Sequence, residues 1–493
     1  MSAVIYGVLS PVSYANSNPC PYTMWALVDA HHFYVSCERL FAPRLKHRPI
    51  AILTGPQGCV ISCSRDLKNE LSLAIGTPLF KVSTQLKAKN TVLLRPNFEL
   101  YGDLSSRIMQ CLRTLCPEVA VYSIDEAFLK LTLPQAVMCA MNSDPLAGNR
   151  YYRTQAQTIA QTVLLETGIP VGVAIAPTKV LAKLAMRQVK SAKNQPSNPS
   201  KHCIVLSSEY HLNKILQDTD VEKLWGIGKT SAKKLARSHI HSAYALKNTP
   251  EAHKRFGVVI GRIALELSGK SCIEIEHGSE DQKQILCSKS YPKRLQNYEQ
   301  VKRALLLQLQ RATKKARALG SKAHLCTFFA SGSVYSPLRS PYAPTHPTAH
   351  ATFSIPSASS DPIYIGEMLQ HLLKKQISSE LKDGAFYRIG VILSELHNEK
   401  ILINSIDMFT RIGQDDDRKE LYNTMDSICM RYGKQAISLG PKTLYSSSPQ
   451  SSSSKQDFAL CSDDLERVNS ELNLEMSRSN INPRHWQHLP QVY

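Results

Sequence analysis

Three carboxylates in this sequence have the spacing and the neighbours of a cation site. Asp29 stands near the end of an apolar run at 25–30, and Asp125 and Glu126 separate two further apolar runs. Clustered carboxylates repel one another unless cations neutralise them, and ligand sets made only of oxygen suit Mg²⁺. Two such ions stabilise the attacking and leaving oxygens of a phosphoryl transfer. The alternative interpretation is a hairpin turn at Asp125 and Glu126 and a strand-end cap at Asp29.

The elements around these carboxylates predict that they meet at one edge of a sheet. The predicted elements follow the order strand, helix, two strands, helix and strand. This is the split β-α-β pattern of ferredoxin-like folds, in which the first and third strands are neighbours at the centre of the sheet. The same order recurs later in the chain, so we predict a multidomain α+β protein with two such units. The first set lies at residues 25–30, from about 34, 119–124, 127–131, about 152–166 and 171–175, and the second at 284–291, 298–318, 324–330, 350–355, 362–381 and 386–395.

A glycine-rich turn, LWGIGKTSAKKLA at 224–236, lies between the two units. The tight turn at Gly226 and Gly228 leaves backbone N–H groups free to meet a phosphate, and Lys229 and Lys233 place positive charge beside them. The pattern indicates a helix-hairpin-helix that binds the DNA backbone independently of sequence. An ordinary turn between helices, followed by a solvated basic helix, is the alternative.

The composition favours an anionic partner. The chain has 493 residues, with 59 Lys and Arg against 40 Asp and Glu, and a net charge of +19. This balance excludes a generic acidic cytosolic enzyme and favours nucleic acid or an anionic membrane surface. No apolar run reaches the ~18 residues of a membrane span. The thirteen cysteines include no C-x-x-C pair, which indicates reduced thiols in the cytoplasm rather than zinc ligands.

Four motifs follow one another along the chain. They are VDAHHFYVSCE at 28–38, GCVIS at 58–62, YSIDEAFL at 122–129 and GVAIAPTKVLAKLA at 172–185. In this order they resemble those of the Y-family translesion DNA polymerases, and most closely those of the UmuC-type branch. The resemblance covers roughly residues 24–445, and two further segments, NFELYGDLS at 97–105 and ILCSKSY at 285–291, resemble that branch too.

The resemblance implies a ferredoxin-like palm, small fingers, a helical thumb with the helix-hairpin-helix, and a second split β-α-β domain, the little finger. Met24, where the strong patterning begins, is an alternative start of translation, and the residues before it would then be an untranslated extension. A Ser-rich linker and a docking tail would end the chain. The implied boundaries are 1–23 for the extension, 24–47 and 93–209 for the palm, 48–92 for the fingers, 210–268 for the thumb, 269–397 for the little finger, 398–445 for a C-terminal region, 446–481 for the linker and 482–493 for the tail.

The resemblance also assigns roles to residues at matching positions. Tyr34 falls where the family keeps a steric gate, a ring below the sugar that collides with a ribose 2′-OH, and Phe33 packs beside it. Lys68 and Lys179 match positions that hold the triphosphate, although the spacing after Lys68 is one residue longer than in relatives. His31 departs from the Asp or Asn of many relatives and receives no role. The metal ligands are Asp29, the Ala30 carbonyl, Asp125 and Glu126, and the template contacts in the little finger are Ser288 and Ser290.

The segment SIDMF at 405–409 resembles the short peptide by which bacterial polymerases bind the sliding clamp. Ile406, Met408 and Phe409 would fill an apolar pocket, and Ser405 replaces the usual Gln. The alternative is a short strand or a hydrophobic turn.

The activity implied by the resemblance is error-prone, template-dependent DNA synthesis in the SOS response. It uses two Mg²⁺, primer-template DNA and dNTP. The implied partners are a processed UmuD-type dimer, a RecA-type filament and the sliding clamp, in the cytoplasm and without a membrane. A single-subunit enzyme like DNA polymerase IV and a non-catalytic DNA-binding scaffold are the two alternatives.

Overall fold

The structure, a computed structural model, describes residues 22–55, 58–191, 202–274, 282–332, 348–380, 385–398, 418–432, 437 and 476–477. These residues fall into two compact units, one within Met1–Gly278 and Ser452–Tyr493 and the other within Ser279–Ser451. No helix in these ranges is both long enough and apolar enough to cross a membrane.

The strands, in chain order, are β1 (Thr23–Ala30), β2 (Ile50–Leu53), β3 (Val60–Cys63), β4 (Val92–Leu94), β5 (Val119–Val121), β6 (Glu126–Thr132), β7 (Val171–Ala176), β8 (Cys203–Val205), β9 (Gln284–Leu295), β10 (Ser321–Ser331), β11 (Thr348–Ser359), β12 (Phe386–Asn398) and β13 (Met476–Ser477). The helices are α1 (Phe33–Phe41), α2 (Arg65–Leu71), α3 (Leu79–Ala88), α4 (Phe98–Leu115), α5 (Gln135–Ala140), α6 (Ala147–Thr167), α7 (Lys179–Ser191), α8 (Glu209–Gln217), α9 (Lys229–Ala236), α10 (Ala243–Lys247), α11 (Ala252–Phe256), α12 (Val258–Leu267), α13 (Tyr298–Ala318), α14 (Pro362–Glu380) and α15 (Lys419–Tyr432).

The palm of the first unit is a five-stranded sheet in the order β5-β6-β1-β7-β8. The central strand β1 is apolar almost throughout because both of its faces are covered. Side chains alternate between the faces of a strand, so Met24, Ala26 and Val28 pack into one core with α4 and α6. Trp25 and Leu27 face the opposite core, which contains α7. The predicted pairing of β1 with β6 is confirmed, and β7 pairs with β1 on its other side; both pairs are antiparallel.

The fingers form a small sheet in the order β13-β4-β2-β3, covered by α2 and α3. Their core is small and is built on aliphatic side chains such as Leu53, Leu67 and Leu86. The short strand β13, from the C-terminal part of the chain, pairs in parallel with β4 at the sheet edge.

The thumb consists of helices α8 to α12, which share a core with α7 of the palm. The predicted helix-hairpin-helix has a shorter first element than expected. It is a single 3-10 turn at Val221–Lys223, followed by the turn at Gly226 and then by α9. Gly226 has φ +89°, which favours glycine, and a Cβ there would lie 3.0 Å from Ile263 Cδ1.

The second unit contains a four-stranded antiparallel sheet in the order β11-β10-β12-β9. Helices α13 and α14 cover one face of this sheet. The element order repeats that of the palm, as predicted, but the first strand β9 lies at the sheet edge, whereas β1 is central in the palm. Both β-α-β connections are still split by one strand, so the predicted fold class is confirmed.

Ion pairs hold helix α15 against the other elements of this second unit. Arg317 donates two hydrogen bonds to Asp426, Lys314 lies 3.2 Å from Asp426, and Arg418 pairs with the buried Asp361. Lys314 and Arg317 belong to α13, so basic side chains of that helix hold α15.

Candidate active site

The strand register of the palm places Asp29 directly opposite Glu126, on the adjacent strands β1 and β6. Asp125 immediately precedes β6, and its carbonyl accepts a hydrogen bond from the Ala30 N–H at 2.9 Å. The predicted convergence of these residues is therefore present in the backbone. Because side chains alternate along a strand, Asp29 points to the same face as Trp25 and Leu27, the face covered by α7.

Two lysines of α7 pair with the carboxylates. Lys190 Nζ lies 2.6 Å from Asp29 Oδ2, and Lys183 Nζ lies 2.7 Å from Glu126 Oε2. Residues seven apart lie on one face of a helix, so a single helix face reaches both acids. Sequence reasoning missed these lysines, although both follow the motif position Lys179 at helical spacing.

The two opposed carboxyl groups are electrostatically coupled. Burial, together with a hydrogen bond to Glu126, raises the pKa of Asp29 to about 8. Burial acts to raise the pKa of Glu126 as well, but the hydrogen bond from Asp29 and the charge of Lys183 outweigh it and lower that pKa. The two opposed acids therefore titrate together, and Asp29 binds its proton more tightly than Glu126 does, as is usual for two neighbouring carboxyl groups.

Asp125 has a different partner from the other two acids. Ser123 Oγ donates a hydrogen bond to Asp125 Oδ1 at 2.6 Å. In the described part of the chain, no group of three His, Cys, Asp or Glu side chains is already arranged around a common metal position. The structure thus brings the carboxylates of Asp29 and Glu126 together and places Asp125 beside them in sequence.

Tyr34 lies next to this edge, on the first turns of α1. Burial, followed by the negative charge of Asp125, raises the pKa of Tyr34. Phe33 is buried beside it, with ring centroids 5.9 Å apart. Tyr34 itself is half-buried.

The two lysines predicted to hold the triphosphate lie in different places. Lys68 is exposed on the fingers helix α2, and its charge adds to burial in lowering the pKa of His32. Lys179 is buried, lies 3.4 Å from the Trp25 ring centroid, and donates to the Ile273 carbonyl at 2.7 Å. Trp25 is four residues from Asp29 on β1, a distance of about 13 Å. We call the sheet edge that carries Asp29, Asp125 and Glu126 the carboxylate edge. Lys179 is therefore remote from the carboxylate edge, whereas Lys183 and Lys190 are adjacent to it.

Comparisons with known proteins agree on one family. The sequence model described as the impB/mucB/samB family matches residues 28–187, and that of the family's C-terminal domain matches residues 282–406. Protein UmuC of Salmonella typhimurium is 31% identical over 417 residues, which cover 84% of this chain and 92% of that protein. The chain belongs to the UmuC-type branch of the Y-family DNA polymerases.

Two further similarities are consistent with this membership. DNA polymerase IV of Oceanobacillus iheyensis is 28% identical over 236 residues, covering 47% of this chain and half of that protein. The solved structure of the Y-family polymerase chimera Dbh-Dpo4(243-245)-Dbh has a TM-score of 0.56 at 20% identity and covers 76% of this chain and 99% of the chimera. That likeness shows the fold. The predicted family, the polymerase architecture and the enzyme class, a DNA-directed DNA polymerase, are confirmed.

The remaining predicted residues of this polymerase lie at several places outside the carboxylate edge. Gly228 precedes α9, and Lys229 and Lys233 are exposed on that helix. In the second unit, Ser290 is exposed, and the Ser288 hydroxyl accepts a hydrogen bond from Arg388 at 3.0 Å. The clamp-like motif, Ser405, Ile406, Met408 and Phe409, lies outside the described residues.

Proposed function

We propose that the protein is an error-prone, template-dependent DNA polymerase that copies past damaged bases in the SOS response. The observation that carries this proposal is the position of Asp29 opposite Glu126 at the carboxylate edge, with two lysines beside them. Family membership supplies the nucleotidyl transfer from dNTP to a primer 3′-OH. Low fidelity follows from the resemblance, because small fingers check the new base pair loosely.

The donor atoms at the carboxylate edge suit Mg²⁺, and the resemblance implies two such ions. The side chains there offer carboxylate oxygens, which a hard cation prefers, and two of these carboxylates are now neutralised by Lys183 and Lys190. Asp29, Asp125, Glu126 and the Ala30 carbonyl would hold the ions. When bound, such ions stabilise the attacking and leaving oxygens of the transfer.

Lys183 and Lys190 have a second role when bound cations neutralise the acids in their place. A triphosphate brings several negative charges to this edge, and Lys is a mobile point charge suited to meet them. Lys190 is part exposed, with 45% of its side chain accessible, while its partner Asp29 is buried. Lys190 therefore turns from Asp29 to the triphosphate with little loss of packing.

The primer strand has a cationic path to the same edge. A cavity between α7 and the thumb turn is lined by Glu126 and Trp225, together with basic side chains of both elements, Lys183, Arg187, Lys190 and Lys223. Trp225 donates to the Tyr122 hydroxyl at 2.9 Å, which fixes this turn against the palm. The exposed Lys229 and Lys233 extend the positive surface along α9. Backbone phosphates are the ligands that such a surface suits.

The template side is proposed to lie on the face of the second unit's sheet opposite to α13 and α14. Ile285 and Cys287 point into the core of that unit. By the alternation of strand side chains, Ser288 and Ser290 point to the opposite face. Arg388 pairs with Ser290 in register and donates to Ser288. Hydroxyl and guanidinium donors on a flat face are suited to phosphate oxygens.

The partners remain proposals that rest on the resemblance. They are a processed UmuD-type dimer, a RecA-type filament and the sliding clamp, all met in the cytoplasm. Dependence on the first two would separate this protein from a single-subunit enzyme like DNA polymerase IV. The retained carboxylates argue against the non-catalytic scaffold.

Primer extension on a template with a single abasic site tests the proposal. We expect extension past the lesion that requires Mg²⁺ and stops in EDTA, and a higher yield when the processed UmuD-type dimer and an activated RecA-type filament are present. A purified protein that binds primer-template DNA but extends no primer under any of these conditions would contradict the proposal.

Sugar choice gives a second expected outcome. Replacing Tyr34 with Ala opens space below the sugar, so ribonucleotide incorporation should rise relative to deoxynucleotide incorporation by about tenfold or more, the scale of one lost steric contact. The measurement is the ratio of kcat/KM for dCTP to that for CTP opposite a template G. An unchanged ratio in an active variant would show that Tyr34 only packs.

Lys190→Met and Lys179→Met together decide which lysine holds the triphosphate. We expect Lys190→Met to raise the KM for dNTP about tenfold, the effect of one lost charge-assisted hydrogen bond. Lys179→Met should raise it less, because that ammonium group binds the Ile273 carbonyl. Steady-state kinetics on one primer-template gives both values, and the reverse order would return the role to Lys179.

A further inference from the structure

The Tyr34 ring stacks on the ring of Tyr101, whose hydroxyl is hydrogen-bonded to the buried carboxylate of Glu38. The Tyr34 and Tyr101 rings are stacked, with centroids 4.5 Å apart and an interplanar angle of 15°. The Tyr101 hydroxyl donates to Glu38 Oε1 at 2.7 Å. Both Tyr101 and Glu38 are buried, at 0% and 1% exposure. Tyr34, Tyr101 and Glu38 therefore form one connected unit, here called the gate stack.

The gate stack joins two helices of the palm. Tyr34 and Glu38 are four residues apart on α1, so they lie on one face of that helix, while Tyr101 comes from α4. Phe98, one turn before Tyr101, meets the Tyr34 and Tyr101 rings edge-on, with centroids 6.1 Å and 6.0 Å away. The Tyr34 ring is thus supported beneath by Tyr101 and at one side by Phe98.

Packing alone does not explain Glu38. A carboxylate and a hydroxyl are costly to bury, and a phenylalanine with an apolar neighbour would fill the same space without that cost. A hydrogen bond between a hydroxyl and a carboxylate is short and directional, so it fixes the plane of the Tyr101 ring as well as its position. Burial, with the charge of Glu38 next, raises the pKa of Tyr101, so the hydroxyl keeps its proton and remains a donor.

We propose that Glu38 is a positioning residue for sugar selection, which holds the Tyr101 ring at the height that brings Tyr34 against a ribose 2′-OH. The proposal rests on the proposed role of Tyr34 as the steric gate. A gate ring excludes a hydroxyl group only while it cannot tilt or sink, and a shift of about 1 Å is enough to change a reaction rate strongly. Without the hydrogen bond to Glu38, the Tyr101 ring can slide along α4 and the Tyr34 ring can follow it.

The test compares Glu38→Leu, Glu38→Gln and Tyr101→Phe with the parent protein and with Tyr34→Ala. The readout is the ratio of kcat/KM for dCTP to that for CTP on one primer-template. We expect Glu38→Leu and Tyr101→Phe each to lower this ratio about fivefold, mainly through faster use of CTP, and their double variant to lower it no further. Glu38→Gln keeps an acceptor oxygen and should restore most of the ratio.

The outcomes separate this proposal from the one on which it rests. If Glu38 has only a structural role, Glu38→Leu slows the use of both nucleotides equally and leaves the ratio unchanged. That result, together with a lower ratio in Tyr34→Ala, would overturn the proposal for Glu38 alone. An unchanged ratio in Tyr34→Ala would overturn the gate and the positioning role together. If Glu38→Leu does not fold, Tyr101→Phe, which removes only the hydroxyl, gives the same decision.

Discussion

Glu126→Ala and Asp125→Ala are each expected to lower the rate of primer extension by several hundredfold or more. Each substitution removes a negative ligand from a site that must hold two dications, and electrostatic groups of this kind supply factors of about 10² to 10³. In Glu126→Ala, Lys183 also loses the partner that now lies 2.7 Å away. The measurement is single-turnover extension of a labelled primer by one nucleotide at saturating Mg²⁺.

A matched control isolates the metal site from a general effect of removing an acid. Glu118→Ala breaks an ion pair of similar length in the same sheet, 2.9 Å between Glu118, which directly precedes the edge strand β5, and Lys130 on β6. That pair is exposed, so its loss should change stability by less than about 1 kcal/mol and leave extension near the parent rate. DNA binding should survive in all three variants. Near-parental extension by Glu126→Ala would remove the carboxylate from the proposed catalytic site.

The architecture was predictable because the central strands are themselves strongly apolar segments of the sequence. The run that became β1 is buried on both faces, and such runs leave little freedom in where a central strand lies. Once β1 and β6 are neighbours, the register sets Asp29 opposite Glu126. The bounds of helices were less certain, since α6 begins at Ala147 and not near residue 152. Its first turn contains Gly148 and Asn149 and lacks the apolar periodicity that the prediction used.

The side-chain partners at the site were less predictable than the backbone. The resemblance assigned the triphosphate to Lys179. In the structure, α7 begins after β7 with Lys179 near Trp25, and only the later turns of the helix, with Lys183 and Lys190, reach the acids. Which turn of a helix meets a strand end depends on the packing of the whole domain, which no local pattern reports. The hydrogen bond between Tyr101 and Glu38 joins residues 63 apart in the sequence, so spacing gave no signal for it.

The attachment of α15 was also outside the reach of the sequence patterns. Its contacts depend on Asp361 and Asp426, two acids among many in the C-terminal half. An ion pair between distant charges has no periodicity, and most such charges are solvated. In the sequence, β12 and α15 flank the segment that contains the proposed clamp-like motif at 405–409.

Met408→Ala with Phe409→Ala is expected to abolish the stimulation of DNA synthesis by the sliding clamp. Apolar side chains in a segment bounded by polar and acidic residues gain free energy when a partner supplies a pocket. Binding through one short peptide should be weak, and loss of a central aromatic anchor costs about 2 kcal/mol or more, some thirtyfold in affinity. The measurement is the ratio of synthesis with the clamp to synthesis without it, on a primed circular template.

The chain offers a control of the same composition for this pair. Met430 and Tyr432, at the end of α15, are 67% and 68% exposed, so Met430→Ala with Tyr432→Ala removes a methionine and an aromatic ring without opening a core. This control should keep the ratio of the parent protein. A Met408 and Phe409 double variant that also keeps it would place any clamp contact outside residues 405–409. Loss of extension without the clamp would mean instead that these side chains pack within their own domain, because a surface peptide has no part in the chemical step.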